Sequence, residues 1–173
     1  GEALESTTPA KLGKINVEQL KYTATVNHTT DKYYDQAIEA RTAFNDYKSK
    51  NGSEMSNDML YKNYGFYSKY HIYAIINRYT SGKTLDIPIS AISFGDIAFA
   101  STPYEMFDTN GMQVKDGSPF KMTFMCAYTN GQYGYVPSKD VYKNGGYEVY
   151  TTRFINGTGD DVAAKLVEML KKC

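Results

Sequence analysis

The sequence predicts an α+β fold: a mixed sheet with two long N-terminal helices, a short helix after the central hairpin and a C-terminal helix. Three observations predict it. Apolar residues recur at helical spacing between Thr30 and Ser81, period-two alternation takes over from Leu85 to Cys126, and a Gly95-Asp96 pair joins two apolar runs within that stretch.

The elements follow in order. KYTATVNH, Lys21 to His28, alternates with Tyr22, Ala24, Val26 and His28 on one face and reads as a strand. A helix opens at Thr30 or Asp31, carries Tyr33, Ala37, Ala40, Phe44 and Tyr47 as its apolar stripe, and stops at Asn51-Gly52-Ser53. A second begins near Ser56 or Asn57, turns Leu60, Tyr64, Tyr67, His71, Ala74 and Ile75 inward, and ends at Ser81-Gly82. Leu85, Ile87, Ile89 and Ala91 then alternate, and Ile97 to Ala100 return after Gly95-Asp96, which supplies the positive φ of a tight hairpin. Pro88 marks an edge or a bulge, because it has no amide proton for a ladder. Thr102-Pro103-Tyr104-Glu105 opens a short helix finished by Asn110-Gly111, and Phe120, Met122, Phe124 and Cys126 alternate into a buried strand. A loop carries Thr129 to Asn144, Gly146 to Phe154 is extended, and the last helix starts on Asp160, burying Val162, Leu166 and Met169 or Leu170.

A chain of 173 residues with 42% apolar content holds one real core and reads as a single domain over 1–173. Acids and bases balance to zero net charge and are mixed along the chain, which argues against nucleic acid as a partner. No apolar run reaches the ~20 residues of a membrane span. The opening GEALESTTPAK reads as a processed or an engineered N-terminus, and Cys126 and Cys173 as a buried thiol and a chain end rather than a disulfide framework. Tyrosine stands out: 17 residues against no tryptophan and two histidines. Its apolar ring and polar tip suit half-buried surfaces and sites for polar or glycan-like ligands.

Few residues carry chemistry. Thr102-x-x-Glu105 has the form of a capping box, with Pro103 at the first helical position, and that structural reading is complete in itself. Glu105 also follows a strand directly, where a carboxylate can bind a cation. His28 and His71 have no second histidine at ligand spacing; His28 reads as a surface or turn residue and His71 as a satisfied core or helix-contact residue. No nucleophile elbow or phosphate-binding glycine loop is present. The loop Tyr128 to Tyr135 offers amides and phenols to a pocket, although Asn130-Gly131 and Tyr133-Gly134 are also ordinary turn formers.

Taken together, GDIAFASTPYEMF, AYTNGQYGYVPS and GGYEVYTTRF, followed by a C-terminal helix, resemble the distal half of the catalytic domain of the neutral/alkaline (non-lysosomal) ceramidases. The match covers roughly residues 84 to 170. The resemblance implies a zinc amidase that cleaves the N-acyl bond of a sphingoid lipid, exported from the cytoplasm, its metal held by two histidines, a glutamate and a tyrosine. Glu105 matches the ligand glutamate, and Gln132 stands where the family has its ligand tyrosine. Tyr135 matches the second tyrosine of that motif, and Tyr133 lies one residue from the ligand position, so these two take the catalytic assignments. The histidine-bearing half and the catalytic serine segment have no counterpart here. The resulting expectation is a portion of a ceramidase-like amidase that is inactive and binds no zinc as this chain, with a lipid-like amide as the parent's substrate. The competing expectation is a divergent, metal-free binding or structural module. If the strands before Glu105 and before the tyrosine loop run parallel, Glu105, Gln132, Tyr133 and Tyr135 converge at one end of the sheet.

Overall fold

The computed structural model describes residues 13–173, so the reading of GEALESTTPAK falls outside them. Strands and helices combine in an α+β fold with a mixed sheet, as the sequence predicts. The chain forms two compact units: one from the described chain up to Tyr22 with Ile87–Tyr133 and Asp160–Cys173, the other from Thr23–Asp86 and Gly134–Gly159. Strands β1 (Ile15–Thr25) and β2 (Thr84–Phe94), each of 11 residues, contribute to both.

The first unit is built on the sheet, in the order β1-β2-β3-β5, with β3 at Ile97–Ser101, a short β4 at Glu105–Met106 and β5 at Met122–Cys126. The β2–β3 hairpin closes with Phe94 opposite Ile97 across Gly95-Asp96, and Gly95 has φ 57°, as the turn requires. Pro88 lies on β2 beyond the stretch that pairs with β3, which begins at Ser90, so an interior strand accommodates it. Ile87, Ile89, Ala91, Ala98 and Ala100 are buried on one sheet face. Val114 of α4 (Asp108–Gly117) and Val162, Ala163, Leu166, Met169 and Leu170 of α6 (Thr158–Leu170) complete this core. Helix α6 buries the residues its periodicity assigns, but it starts two residues before Asp160.

The other sheet face is apolar and, among the described residues, partly exposed. Pairing aligns Ile92, Phe99 and Phe124 in one row and Phe94, Ile97 and Met122 in the next, with the Phe99 and Phe124 rings 5.1 Å apart. Met122 and Phe124 are 53% and 44% exposed, so β5 alternates as expected but with its faces opposite to the expected burial. Its apolar residues point outward, Thr123 and Met125 are half-buried, and Cys126 is half-buried rather than buried. Periodicity alone cannot say which face of a strand meets the core.

The second unit is helical. Asn27 caps a 3-10 turn (His28–Tyr33), and α1 (Tyr34–Asn51) follows, so the helix enters later than Thr30 and leaves Tyr33 exposed. The expected second long helix is two: α2 (Asn57–Tyr64) and α3 (Lys69–Tyr79). Gly65 at φ 72° ends the first through a Gly65 N–H to Tyr61 O bond, and Ser68 restarts the chain by accepting from the His71 amide. Tyr67 falls in the break and is exposed. Ala37, Ala40, Phe44, Leu60, Phe66, Ile72 and Ile75 form this unit's core. Gly146–Phe154 is not extended: Tyr147–Thr151 forms a short helix, α5, after β6 (Tyr135–Val136) and a 3-10 turn (Lys139–Asn144). Buried Arg78 donates to Thr30 Oγ1 at 3.2 Å and to the carbonyls of Tyr150 at 3.0 Å and Thr152 at 2.6 Å. Burial pushes its guanidinium down to about 10, which leaves it charged at neutral pH.

A Cβ placed on Gly117, the last residue of α4, would lie 2.8 and 2.9 Å from the two γ carbons of Val167 on α6. Gly117→Ala is therefore expected to lower stability by about 1 kcal/mol or more, overpacking outweighing the better helix propensity of alanine. In a Val167→Ala background the same change is expected to be neutral or stabilising. Urea denaturation of the four variants checks the reversal, and an equal effect in both backgrounds contradicts the close approach.

Candidate functional site

Strands β3 and β5 run parallel, with Ser101 opposite Cys126, so both chain segments leave the sheet at the same end. Three backbone bonds then join them: Thr102 N–H to Cys126 O at 3.1 Å, Thr129 N–H to Thr102 O at 3.0 Å and Tyr133 N–H to Pro103 O at 3.2 Å. The loop after β5 closes on the segment that leads to Glu105. Tyr128 and Asn130 make its bends with φ of 55° and 61°, a conformation that costs a bulky L-residue on the order of 1–3 kcal/mol. Tyr128 spends that energy in a position where its hydroxyl donates to Glu105 Oε2 at 2.5 Å.

Glu105 is not a helix cap. Thr102 Oγ1 accepts from the Tyr104 amide, two residues on, and Glu105 lies in β4 in extended conformation. Helix α4 begins at Asp108 instead and runs to Gly117, past the expected stop at Asn110-Gly111. Half-buried beside Tyr128, the Glu105 carboxylate keeps one oxygen paired with the phenol.

The other assigned residues lie as follows. Gln132 is exposed on the loop. Tyr133 is 49% exposed, and its ring packs 5.6 Å from that of buried Tyr104. Tyr135 belongs to the helical unit, where its carbonyl accepts from Thr152 Oγ1 at 2.9 Å and its ring stands nearly perpendicular to Tyr147. Tyr128 is the partner that motif matching missed. It follows β5 by two residues, and only the parallel pairing with β3 singles it out.

Both histidines are in the helical unit. His28 Nδ1 lies 2.9 Å from Asp31 Oδ2 in the turn after β1, as a turn residue should. His71 is a helix-contact residue but not a satisfied one: its ring stacks on Tyr150 at 5.0 Å, and its Nδ1 is buried without a hydrogen-bond partner. Burial, with Arg78 adding repulsion, pushes His71 down to about 4. Among the described residues no three His, Cys, Asp or Glu side chains gather to hold a metal ion. Glu105 and Tyr128 supply two ligand side chains, one fewer than the three protein ligands of a hydrolytic zinc site.

Two expectations follow. Glu105→Gln keeps an acceptor for Tyr128 and removes no helix cap, so chemical denaturation should find stability within about 0.5 kcal/mol of the parent; a loss above about 1 kcal/mol would restore a capping role. For His71 the unfolded chain takes up a proton below its ordinary 6.5, whereas the folded state refuses it down to about 4. Stability is therefore undiminished above 6.5 and falls as pH drops through that window, by on the order of 1–2 kcal/mol for a partly open ring. His71→Phe should flatten that part of the stability–pH profile; an unchanged slope assigns the proton uptake elsewhere.

No protein-family model matches the chain, and no curated protein matches it in sequence. Solved structures do resemble it. The crystal structure of neutral ceramidase from Pseudomonas aeruginosa matches with a TM-score of 0.51 at 12% identity, over 91% of this chain and 28% of that one. A ceramidase complexed with C2 matches at 19% identity and a TM-score of 0.46, over 51% of this chain and 14% of that one. The chain thus spans less than a third of the length of either protein. What the likeness to the Pseudomonas aeruginosa protein establishes is a ceramidase-like fold.

Proposed function

We propose that this chain is a portion of a ceramidase-like amide hydrolase, related to the distal part of that catalytic domain, and that it does not hydrolyse amides by itself. The observation that carries the reading is the Glu105–Tyr128 pair at the shared end of β3 and β5: a carboxylate and a phenol, side by side, at the strand ends where the resemblance calls for a glutamate and a tyrosine. Tyr128 takes the part of the phenol that Gln132 has lost. Zinc fits these residues only in part, because two ligand side chains do not complete a site, so no catalytic step is assigned to the chain alone.

The open sheet face supports the same reading. Two rows of Ile, Phe and Met across three strands make a contiguous, partly exposed apolar patch of the kind that marks an interaction surface, and further chain of the same polypeptide packed there would cover it. In this reading the substrate is the N-acyl amide bond of a sphingoid lipid, and the parent protein works outside the cytoplasm. Tyr133 and Tyr135 belong to the tyrosine loop and its continuation, and Gln132 is an exposed position without a metal-binding role.

The test compares hydrolysis of an N-acylsphingosine, and zinc content after chelator dialysis, in this chain and in the complete product of its gene. The chain should show neither turnover nor stoichiometric zinc. The complete product should show both, and Glu105→Gln and Tyr128→Phe should each lower its kcat/KM by about 10-fold or more. Turnover by the chain alone, or a complete product indifferent to both changes, would overturn the proposal.

A further inference from the structure

The two units expose different kinds of apolar surface. On the sheet unit the exposed large side chains are mostly aliphatic or phenylalanine, among them Ile15, Val17, Met122 and Phe124. On the helical unit every exposed large apolar side chain except Ile155 is a tyrosine. Aliphatic surface calls for a dry partner. Tyrosine surface suits a ligand that is apolar on one side and hydrogen-bonding at its rim.

A cavity of about 440 Å³ opens among these tyrosines, within the range of small-molecule sites. Tyr67, Tyr147 and Tyr150 line it together with Asn57, Ser68 and Thr151, and none of its lining residues carries a formal charge. Its geometry is fixed from behind. Tyr67 and Tyr150 stack at 4.6 Å with 7° between their planes, and neutral His71 stacks on Tyr150. Tyr147 stands nearly perpendicular to Tyr70 and to Tyr135, which holds its plane while 44% of the residue stays open. Gly145, at φ 66°, lets the Tyr150 hydroxyl lie against the backbone, where a Cβ would meet it at 2.4 Å.

Polar groups sit at the rim. Ser68 Oγ accepts from the His71 amide and so keeps its own proton to donate. Thr151 Oγ1 donates to Tyr147 O at 2.8 Å and so keeps lone pairs to accept. Asn57 adds a carboxamide, which does both. Tyr67 and Tyr150 turn their faces to each other, so the cavity does not offer the several open aromatic faces that cage a quaternary ammonium, and the Glu148 carboxylate lies beside Gly146 rather than in the lining. We propose that it binds a neutral sugar ring, which lays its C–H face on Tyr147 and shares its hydroxyls among Asn57, Ser68, Thr151 and the tyrosine phenols. This site is separate from Glu105 and Tyr128 in residues and in chemistry, so either assignment can fail without the other.

The experiment uses the intact chain and saturation-transfer NMR with three probes: cellotriose, N,N′,N″-triacetylchitotriose and choline. A second arm measures sedimentation with phosphatidylcholine vesicles that contain a glucosyl lipid, against vesicles without it. Saturation transfer to either oligosaccharide and none to choline is expected, and selective sedimentation with the glycolipid would identify a headgroup as a source of the sugar. Tyr147→Ala should weaken binding about tenfold, whereas Tyr79→Ala, an exposed tyrosine outside the lining, should leave it unchanged. Circular dichroism confirms that both variants fold, and Tyr67→Ala repeats the test should Tyr147→Ala unfold. Silence with both oligosaccharides and with the glycolipid, binding of choline instead, or sugar binding indifferent to Tyr147 and Tyr67 would overturn the proposal.

Discussion

The parallel pairing of β3 with β5 is the constraint on which the candidate site depends. Two parallel strands cannot be joined by a hairpin, so the chain between Ser101 and Met122 must travel back along the sheet, which it does through α4. The same pairing sends both strand ends to one edge. Thr102 and Cys126 continue the ladder for one more bond, Thr129 and Tyr133 add two more, and the loop after β5 is thereby closed onto the segment that leads to Glu105. Tyr128 is the bend in that loop. Had the strands run antiparallel, the carboxylate and the phenol would have left from opposite ends of the sheet.

The strained backbone at Tyr128 fits this account. A tyrosine with φ of 55° is unfavourable where Gly or Asn would be comfortable, and the neighbouring bend at φ 61° is indeed an Asn. The chain keeps a bulky aromatic residue at one of these two left-handed positions, and there its hydroxyl meets Glu105. Strain held in place beside a carboxylate is a reason to look for function, whereas strain alone would not be. The helical unit stores its polar cost differently. Arg78 is buried but donates three hydrogen bonds, to Thr30 and to two carbonyls, while His71 leaves Nδ1 without a partner and is held neutral by its surroundings.

Much of the fold was legible in the sequence, because periodicity reports which residues share a face. The Gly95-Asp96 hairpin, the stripe of Ala37, Ala40 and Phe44, and the buried face of the last helix all follow from spacing. What failed has physical reasons. Gly65 and Ser68 together stop one helix and start another, and a stripe that continues across the break hides it. Thr102-x-x-Glu105 has the form of a capping box, but Thr102 makes a tighter turn with Tyr104, and the chain stays extended until Asp108. In β5 the alternation is plain in the sequence but not which face is buried, because the sheet's outer face is also apolar. The site was half legible: Glu105 stands out by motif, while Tyr128 follows only from strand direction, which local sequence does not encode.

The most direct test is to ask which side chain Glu105 touches. In NMR spectra of the selectively labelled chain, the account predicts nuclear Overhauser contacts between the Glu105 Hγ protons and the Tyr128 ring. Contacts between the Phe99 and Phe124 rings should appear alongside them, as the register of the parallel strands requires. Tyr128 ring protons that contact only their own loop, or a Glu105 side chain in contact with Gln132 instead, would contradict it.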